Sequence, residues 1–276
     1  MNLYIAILNI SDLHLHEEIS PDFLSELVQS IEIDGFLKHP IIVDKKSLVV
    51  LDGMHRVAAL EELECKRIPV CLVDYENSAI EVASWYRAVK GARALERLTT
   101  QIRGLSITIE EVGKIKDTEI GISPVVAAVR SWKKAFFIRS PFQSFKEAYD
   151  IIKQIEEGLK KFGLEVVYET EIDALSKLRD HKVDLVLLTP RVSKSSIIKI
   201  ALSGNVFSFK ATRHAIPARP LYLNVPLSLL RDCEKNINEV NNELRHMLQR
   251  RHLKCVAAGR VLDGRRYEED LYLFEE

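Results

Sequence analysis

Short apolar runs of strand length alternate with longer segments of helical periodicity along most of this chain, and that alternation restricts it to a layered α/β architecture. The first cycle is the clearest. Residues 3–8 read as a strand. Residues 21–34 (PDFLSELVQSIEID) place Phe23, Leu24, Leu27, Val28 and Ile31 on one helix face, opened by Pro21 and stopped by Gly35. PIIVD (40–44) and SLVVLD (47–52) read as strands joined by the polar turn DKKS; a helix from His55 to Cys65 and a strand RIPVCLVDY (67–75) follow. A compact α/β unit therefore closes near residue 80.

A helical stretch containing Trp85 is expected next, and then a charged region to about residue 120 that no pattern assigns. The alternation resumes with a strand KAFFIRS (134–140) and a helix FKEAYDIIKQIEEGLKKFG (145–163) closed by Gly163. A strand LEVVYET, a helix IDALSKLRD, a strand VDLVLLT and a helix SKSSIIKIALSG ended by Gly204 complete the pattern. Residues 226–251 read as one long helix with a basic end (HMLQRRH), before a last strand at 271–274.

At 276 residues the chain can bury a sizeable core in one or two domains. Its 47% hydrophobic and 29% charged content is that of a soluble globular protein, and a net charge of −1 gives no general pull toward nucleic acid or anionic membrane. No apolar run approaches the roughly 20 residues of a membrane span, and the apolar start MNLYIAILNI has no basic n-region, so the cytoplasm is the expected location. Cys65, Cys71, Cys233 and Cys255 form no CxxC pair and have no zinc-site spacing; buried free thiols are expected.

The junction LDGMHRVAAL (51–60) sets an acid, a glycine, an imidazole and a guanidinium where a strand turns into a helix. Helix N-termini carry unpaired N–H groups and positive potential that suit an anion. The ordinary structural reading is a tight turn with Asp52 capping the helix and Arg56 in solvent. The functional reading gives Gly53 to close backbone approach, His55 and Arg56 to phosphate oxygens, and Asp52 to a magnesium ion. The sequence contains neither a GxxxxGK[ST] loop nor the protein-kinase HRD and DFG set, so phosphate chemistry here needs another cradle.

The stretch GFLKHPIIVDKKSLVVLDGMHRVAALEELECKRIPVCLVDY resembles the core of the ParB/sulfiredoxin superfamily. Within it, the similarity is greatest to the archaeal free L-serine kinases, whose turn usually reads DGHHR. LHLHEEI (13–19), IEVASWYRAVKG (80–91) and GNVFSFKATRHAIPARP (204–220) resemble three further segments of that family in the same order, so the resemblance covers most of residues 1–225.

The resemblance implies a kinase that phosphorylates free L-serine to O-phospho-L-serine with ATP or ADP and Mg2+, feeding serine and cysteine metabolism. It implies Glu17 as the base that accepts the hydroxyl proton, with His16 orienting it. Asp52 is implied as the magnesium ligand, with Gly53, Met54, His55 and Arg56 at the phosphates and His55 counted among the catalytic groups. Trp85 is implied as a wall of the serine pocket, although a lone aromatic on an apolar helix is by default core. If FKATRHA is extended, Lys210, Thr212 and His214 project from one face: Lys210 toward the serine carboxylate, the other two as hydrogen-bonding groups. Arg213 then points the other way, as a structural residue or toward a phosphate. Without the resemblance, the same segment reads as an edge strand with a solvated face.

Met54 departs from the family turn, because a thioether cannot donate to a phosphate; a backbone N–H has to replace that contact, and the choice between ATP and ADP stays open with a lean to ATP. The expected fold is α/β (α+β). A ParB/sulfiredoxin-like nucleotide-binding domain spans residues 1–90. A second α/β domain, 91–225, contributes to the serine pocket and forms a cleft with the first, and 226–276 is a helical extension of unassigned role. Partners are free serine and nucleotide, with no nucleic acid or membrane, and the oligomeric state is not indicated. A ParB-like DNA-binding or nucleotide-binding protein without kinase activity is the alternative, disfavoured by the single arginine in the turn and the net charge of −1. Sulfiredoxin chemistry lacks its nucleophile, since Met54 stands where those proteins carry cysteine.

Overall fold

The computed structural model describes residues 4–105, 107–262 and 265–275. It is a mixed α/β protein with several sheets. The chain divides into two compact units, the first built from Met1–Glu81, Ile198–Asn205 and His214–Glu276, the second from Val82–Ile197 and Val206–Arg213. The division is discontinuous and differs from the boundaries expected at residues 90 and 225. The C-terminal segment belongs to the first unit and contains strands as well as helices.

The first unit holds a four-stranded mixed sheet in the order Tyr4–Asn9, Arg67–Val73, Ile41–Asp44, Val50–Asp52. The central pair is parallel and the two outer pairs antiparallel. Of the expected strand 3–8, residue 3 lies outside the described residues. One sheet face supplies Ala6, Ile41, Val43, Val50, Ile68 and Val70 to a core shared with the helices Pro21–Asp34, Met54–Glu62 and Ile237–Gln249. Pro21 opens the first of these helices, and Gly35, at φ 73°, ends it in the left-handed region where glycine carries no Cβ penalty.

A β-bulge lies next to the Asp-Gly turn. Val43 pairs with Val50, but Ile42 pairs with Asp52, so one strand carries an extra residue. Directly paired residues share a sheet face, and Val43 and Val50 face the core while Ile42 faces the other way. The bulge therefore puts Asp52 on the face of Ile42 and of Ile42's other neighbour, Cys71.

The expected long helix 226–251 is two helices, Leu227–Arg231 and Ile237–Gln249. Asn236 begins the second with a capping box, accepting the Glu239 N–H while Glu239 accepts its own. Asn241 on this helix bonds both backbone groups of Ile7, at 2.8 and 3.0 Å, and so closes the sheet edge. Farther on, Asp270–Glu275 runs parallel to Ala218–Leu221 and antiparallel to His252–Val256. Cys65 and Cys71 are buried as expected, but Cys233 and Cys255 are exposed. Cys255 lies on the edge strand of this small sheet and Cys233 in the turn between the two helices, positions that no layer covers.

The second unit is built on a six-stranded sheet in the order Glu165–Glu169, Tyr86–Lys90, Leu185–Leu188, Val125–Ser131, Ala135–Arg139, Thr108–Val112, antiparallel at every junction. The helix Phe145–Lys161 buries Ala148, Tyr149, Ile152, Ile155 and Leu159, an i, i+3/i+4 stripe. The expected helix around Trp85 does not form. Glu81–Ala83 and Tyr86–Lys90 are strands, with Trp85 between them. Tyr86, Arg87, Ala88 and Val89 are all buried, so this inner strand shows no two-residue alternation to distinguish it from a helix. The charged region left unassigned holds the helix Ala94–Gly104 and the strand Thr108–Val112.

Candidate active site

The strand–helix junction is built around a glycine that no other residue replaces cheaply. Gly53 has φ 104°, and a Cβ on it would meet Ile41 Cγ2 at 2.5 Å and Arg56 Nη2 at 2.8 Å. It is the N-cap of Met54–Glu62, with no side-chain cap and no acid in the first turn. Asp52 therefore does not cap the helix. The helix start offers its N–H groups and the positive end of its dipole to an anion, the requirement for a phosphate cradle.

The side chains around this turn make contacts within the protein. Arg56 bends inward: Nη1 donates to the carbonyls of His39 (3.3 Å) and Pro40, and Nη2 donates to Asp52 Oδ2 at 2.9 Å. It braces the turn. His55 accepts the Ser20 backbone N–H through Nε2 at 2.9 Å, so its ring proton sits on Nδ1. Met54 packs against the core.

Beside this turn runs the His-Glu segment. His14 N–H donates to the Leu48 carbonyl and its own carbonyl accepts the Val50 N–H (2.9 Å), which lays residues 13–17 along the edge strand. His16 is fully buried and donates Nδ1–H to the Val50 carbonyl at 2.7 Å. Burial holds its pKa below the ordinary value, against the opposite pull of Glu17, the Val50 hydrogen bond and Asp52. The imidazole is thus neutral, with both acids in its electrostatic neighbourhood. Glu17 is 6% exposed, and its Oε1 lies 3.9 Å from His16 Nε2. That distance exceeds a hydrogen bond.

Arg219, which the sequence reading did not single out, completes this neighbourhood. It is 3% exposed, donates Nη1–H to Asp52 Oδ2 and Nε–H to Glu269 Oε1 (2.6 Å), and its Nη2 is buried without a partner. Burial pulls its pKa down, but Asp52 and Glu269 outweigh that and keep the guanidinium charged. Among the described residues no group of three or more His, Cys, Asp or Glu is placed to hold a metal ion.

His214 shares a 2.7 Å hydrogen bond with the Tyr75 hydroxyl and makes an edge contact with the His16 ring, centroids 5.5 Å apart. Burial, assisted by Asp44, pushes the Tyr75 hydroxyl pKa up, so the phenol stays protonated. Tyr75 is a second site neighbour that sequence inspection passed over; a tyrosine ending an apolar strand carries no distinguishing pattern.

In the second unit, Lys210 Nζ sits 4.5 Å from the centre of the Trp85 ring, a cation–π contact. Arg87 holds both partners by their backbones: Nη1 donates to the carbonyls of Trp85 (2.7 Å) and Lys210 (3.0 Å). Its Nε donates to Glu156 at 3.1 Å. Burial raises the Glu156 pKa, but Arg87, Tyr168 and Lys160 outweigh it and hold the carboxyl ionised. The extended geometry expected for FKATRHA is not found. Lys210 has φ 60° in a turn, and a strand begins only at Arg213. Side-chain alternation therefore does not align Lys210 with Thr212 and His214, although the last two are buried, each 6% exposed.

The ParB N-terminal domain family matches residues 2–85. An ATP-dependent L-serine kinase of Staphylothermus marinus is 32% identical over 242 residues, covering 82% of this chain and 91% of that protein. An ADP-dependent L-serine kinase of Thermococcus kodakarensis is 28% identical over 222 residues, covering 78% and 88% respectively. Among solved structures, a free serine kinase in complex with AMP matches with a TM-score of 0.69 at 22% identity, over 82% of this chain and 93% of that one, a likeness of fold.

Proposed function

Because the chain belongs to the free L-serine kinase family, with a ParB N-terminal domain, we propose that it transfers the terminal phosphoryl group of ATP or ADP to the hydroxyl of free L-serine. The product is O-phospho-L-serine. The observation that supports the site assignment is the uncapped helix start at Gly53, with His16 bonded to the carbonyl of Val50 two residues before Asp52 and Glu17 3.9 Å from His16.

In this reading the polyphosphate lies on the first N–H groups of Met54–Glu62, and His55 adds its Nδ1–H as a donor. Arg56 contributes by holding Asp52 and the 39–40 backbone rather than by reaching a phosphate. Asp52 is the magnesium ligand. One carboxylate is enough for this ion, which is commonly completed by phosphate oxygens and water, and when bound it neutralises charge on the phosphates.

Glu17 accepts the serine hydroxyl proton as serine Oγ forms its bond to the terminal phosphorus. The bond from that phosphorus to the bridging oxygen breaks, and its electron pair leaves with ADP or AMP. Lys210, steadied on the Trp85 face, pairs with the serine carboxylate, while Thr212 and His214 supply hydrogen bonds. Trp85 and the buried surroundings of His16 limit water as a competing acceptor.

Incubation with serine, Mg2+ and either ATP or ADP, followed by phosphorus NMR, tests the reading. Phosphoserine together with the shortened nucleotide is expected with at least one donor, and nucleotide consumption independent of serine contradicts it.

A further inference from the structure

The C-terminal segment supplies an acid to the nucleotide site through one buried arginine. Asp52 Oδ2 is shared by two guanidiniums, those of Arg56 and Arg219. Asp52 Oδ2 therefore faces two cations, and Glu269 takes the buried one, Arg219, through Nε at 2.6 Å. The backbone fixes this geometry. Asp270–Glu275 runs parallel to Ala218–Leu221 with Ala218 opposite Asp270 and Arg219 opposite Leu271, so Glu269 enters the strand beside Arg219. The bulge turns Asp52 toward the Cys71 row of its sheet, and Arg219 lies near enough to Cys71 to lower a thiol pKa that burial pushes up to about 12.

Without the Glu269 charge, Asp52 is the remaining acid on Arg219. A buried guanidinium then holds Asp52 more tightly, because leaving it unpaired in a low-dielectric setting is costly. The carboxylate is correspondingly less able to serve a cation arriving with a polyphosphate. The unpartnered Nη2 of Arg219 shows that this guanidinium is not saturated by its two acids.

We propose that Glu269 is a positioning residue for the nucleotide site: by neutralising Arg219 it keeps Asp52 available to the magnesium–nucleotide complex. The inference rests on the kinase reading of the Asp52 turn. It gives residues beyond 226 a part in the reaction, which their distance in sequence from the Asp-Gly junction does not suggest.

The test compares the full-length protein with Glu269→Gln, which keeps the shape and loses the charge, and Glu269→Asp, which keeps the charge. Calorimetric titration with ADP across a series of Mg2+ concentrations reads the site without turnover, and steady-state assays supply KM for serine. The Mg2+ concentration needed for half-maximal nucleotide binding is expected to rise about 10- to 100-fold in Glu269→Gln, the usual effect of losing a partner that orients a metal ligand. Serine KM is expected to stay within about twofold of wild type, and Glu269→Asp to recover most of the Mg2+ response. Unchanged Mg2+ dependence in Glu269→Gln overturns the proposal, as does a parallel loss of serine affinity and melting temperature that Glu269→Asp does not repair. A wild-type protein that binds Mg–ADP but makes no phosphoserine from either donor defeats the kinase reading alone, and the binding titration still decides the role of Glu269. A wild-type protein that binds no Mg–ADP overturns the Glu269 proposal.

Discussion

His55 accepts the Ser20 backbone N–H through Nε2 at 2.9 Å, which ties the N-cap residue of the helix Pro21–Asp34 to the first turn of Met54–Glu62. The bond fixes the tautomer. With Nε2 as acceptor, the neutral ring carries its proton on Nδ1 and presents a donor on its other side.

That division of labour is separable by substitution. Asparagine places its amide near the Nδ1 position and glutamine near Nε2. His55→Asn is expected to keep most nucleotide affinity while losing stability, by about 1 kcal/mol for the lost backbone partner. His55→Gln is expected to keep stability and weaken nucleotide binding. Calorimetric Kd and thermal melting of both variants check this, and the reverse pattern removes His55 from the phosphate site.

Lys210 and Trp85 form a pair held from behind by Arg87. Lys210→Ala is expected to raise serine KM about 10- to 100-fold, the value of a charge-assisted hydrogen bond of about 1.5–3 kcal/mol, with nucleotide Kd little changed. An effect confined to nucleotide Kd places Lys210 at the other substrate.

His16 makes stability depend on pH. Its folded-state pKa is held below 6.5 by burial. As the pH falls below that value, the unfolded chain binds a proton that the folded chain does not, so stability present above it is lost on the way down toward the folded pKa. Melting temperatures measured at pH values from about 8 to about 5 should fall more steeply for wild type than for His16→Gln. Parallel slopes contradict this source of acid sensitivity.

Gly53→Ala combines a left-handed φ with a Cβ 2.5 Å from Ile41 Cγ2. A stability loss of about 1–3 kcal/mol is expected from the backbone alone, accompanied by weaker nucleotide binding as the helix start shifts. Denaturant unfolding and ADP titration check both, and an alanine variant with wild-type values on each shows that the turn tolerates a side chain.

Much of the first unit is legible in the sequence because its elements carry local signals. Pro21 and Gly35 bound a helix that packs Leu24, Leu27, Val28 and Ile31 on the core, although Phe23, expected on the same face, is exposed; the Asp-Gly pair marks the strand–helix junction. Where a signal is non-local, reading fails. Tyr86–Lys90 is flanked by strands on both sides and buried on both faces, and it reads as a helix until its neighbours are known. Lys210 departs from alternation through a positive φ that no glycine announces. Arg219 and Glu269 lie 167 and 217 positions beyond Asp52 in the numbering; a side-chain contact joins Arg219 to Asp52, and strand pairing near the C-terminus sets Glu269 beside Arg219. The break at 232–236 was legible: Asn236 followed by Glu239 is a capping-box pattern within the stretch read as one helix.

Glu17→Gln tests the central claim most directly, because it removes the proton acceptor and keeps the side chain's size in a site only 6% exposed. Single-turnover phosphoserine formation should fall about 10²- to 10⁴-fold, the usual contribution of a general base, while the Kd for ADP stays near wild type. Turnover equal to that of the wild type would show that the serine proton leaves by another route and that Glu17 is not the base.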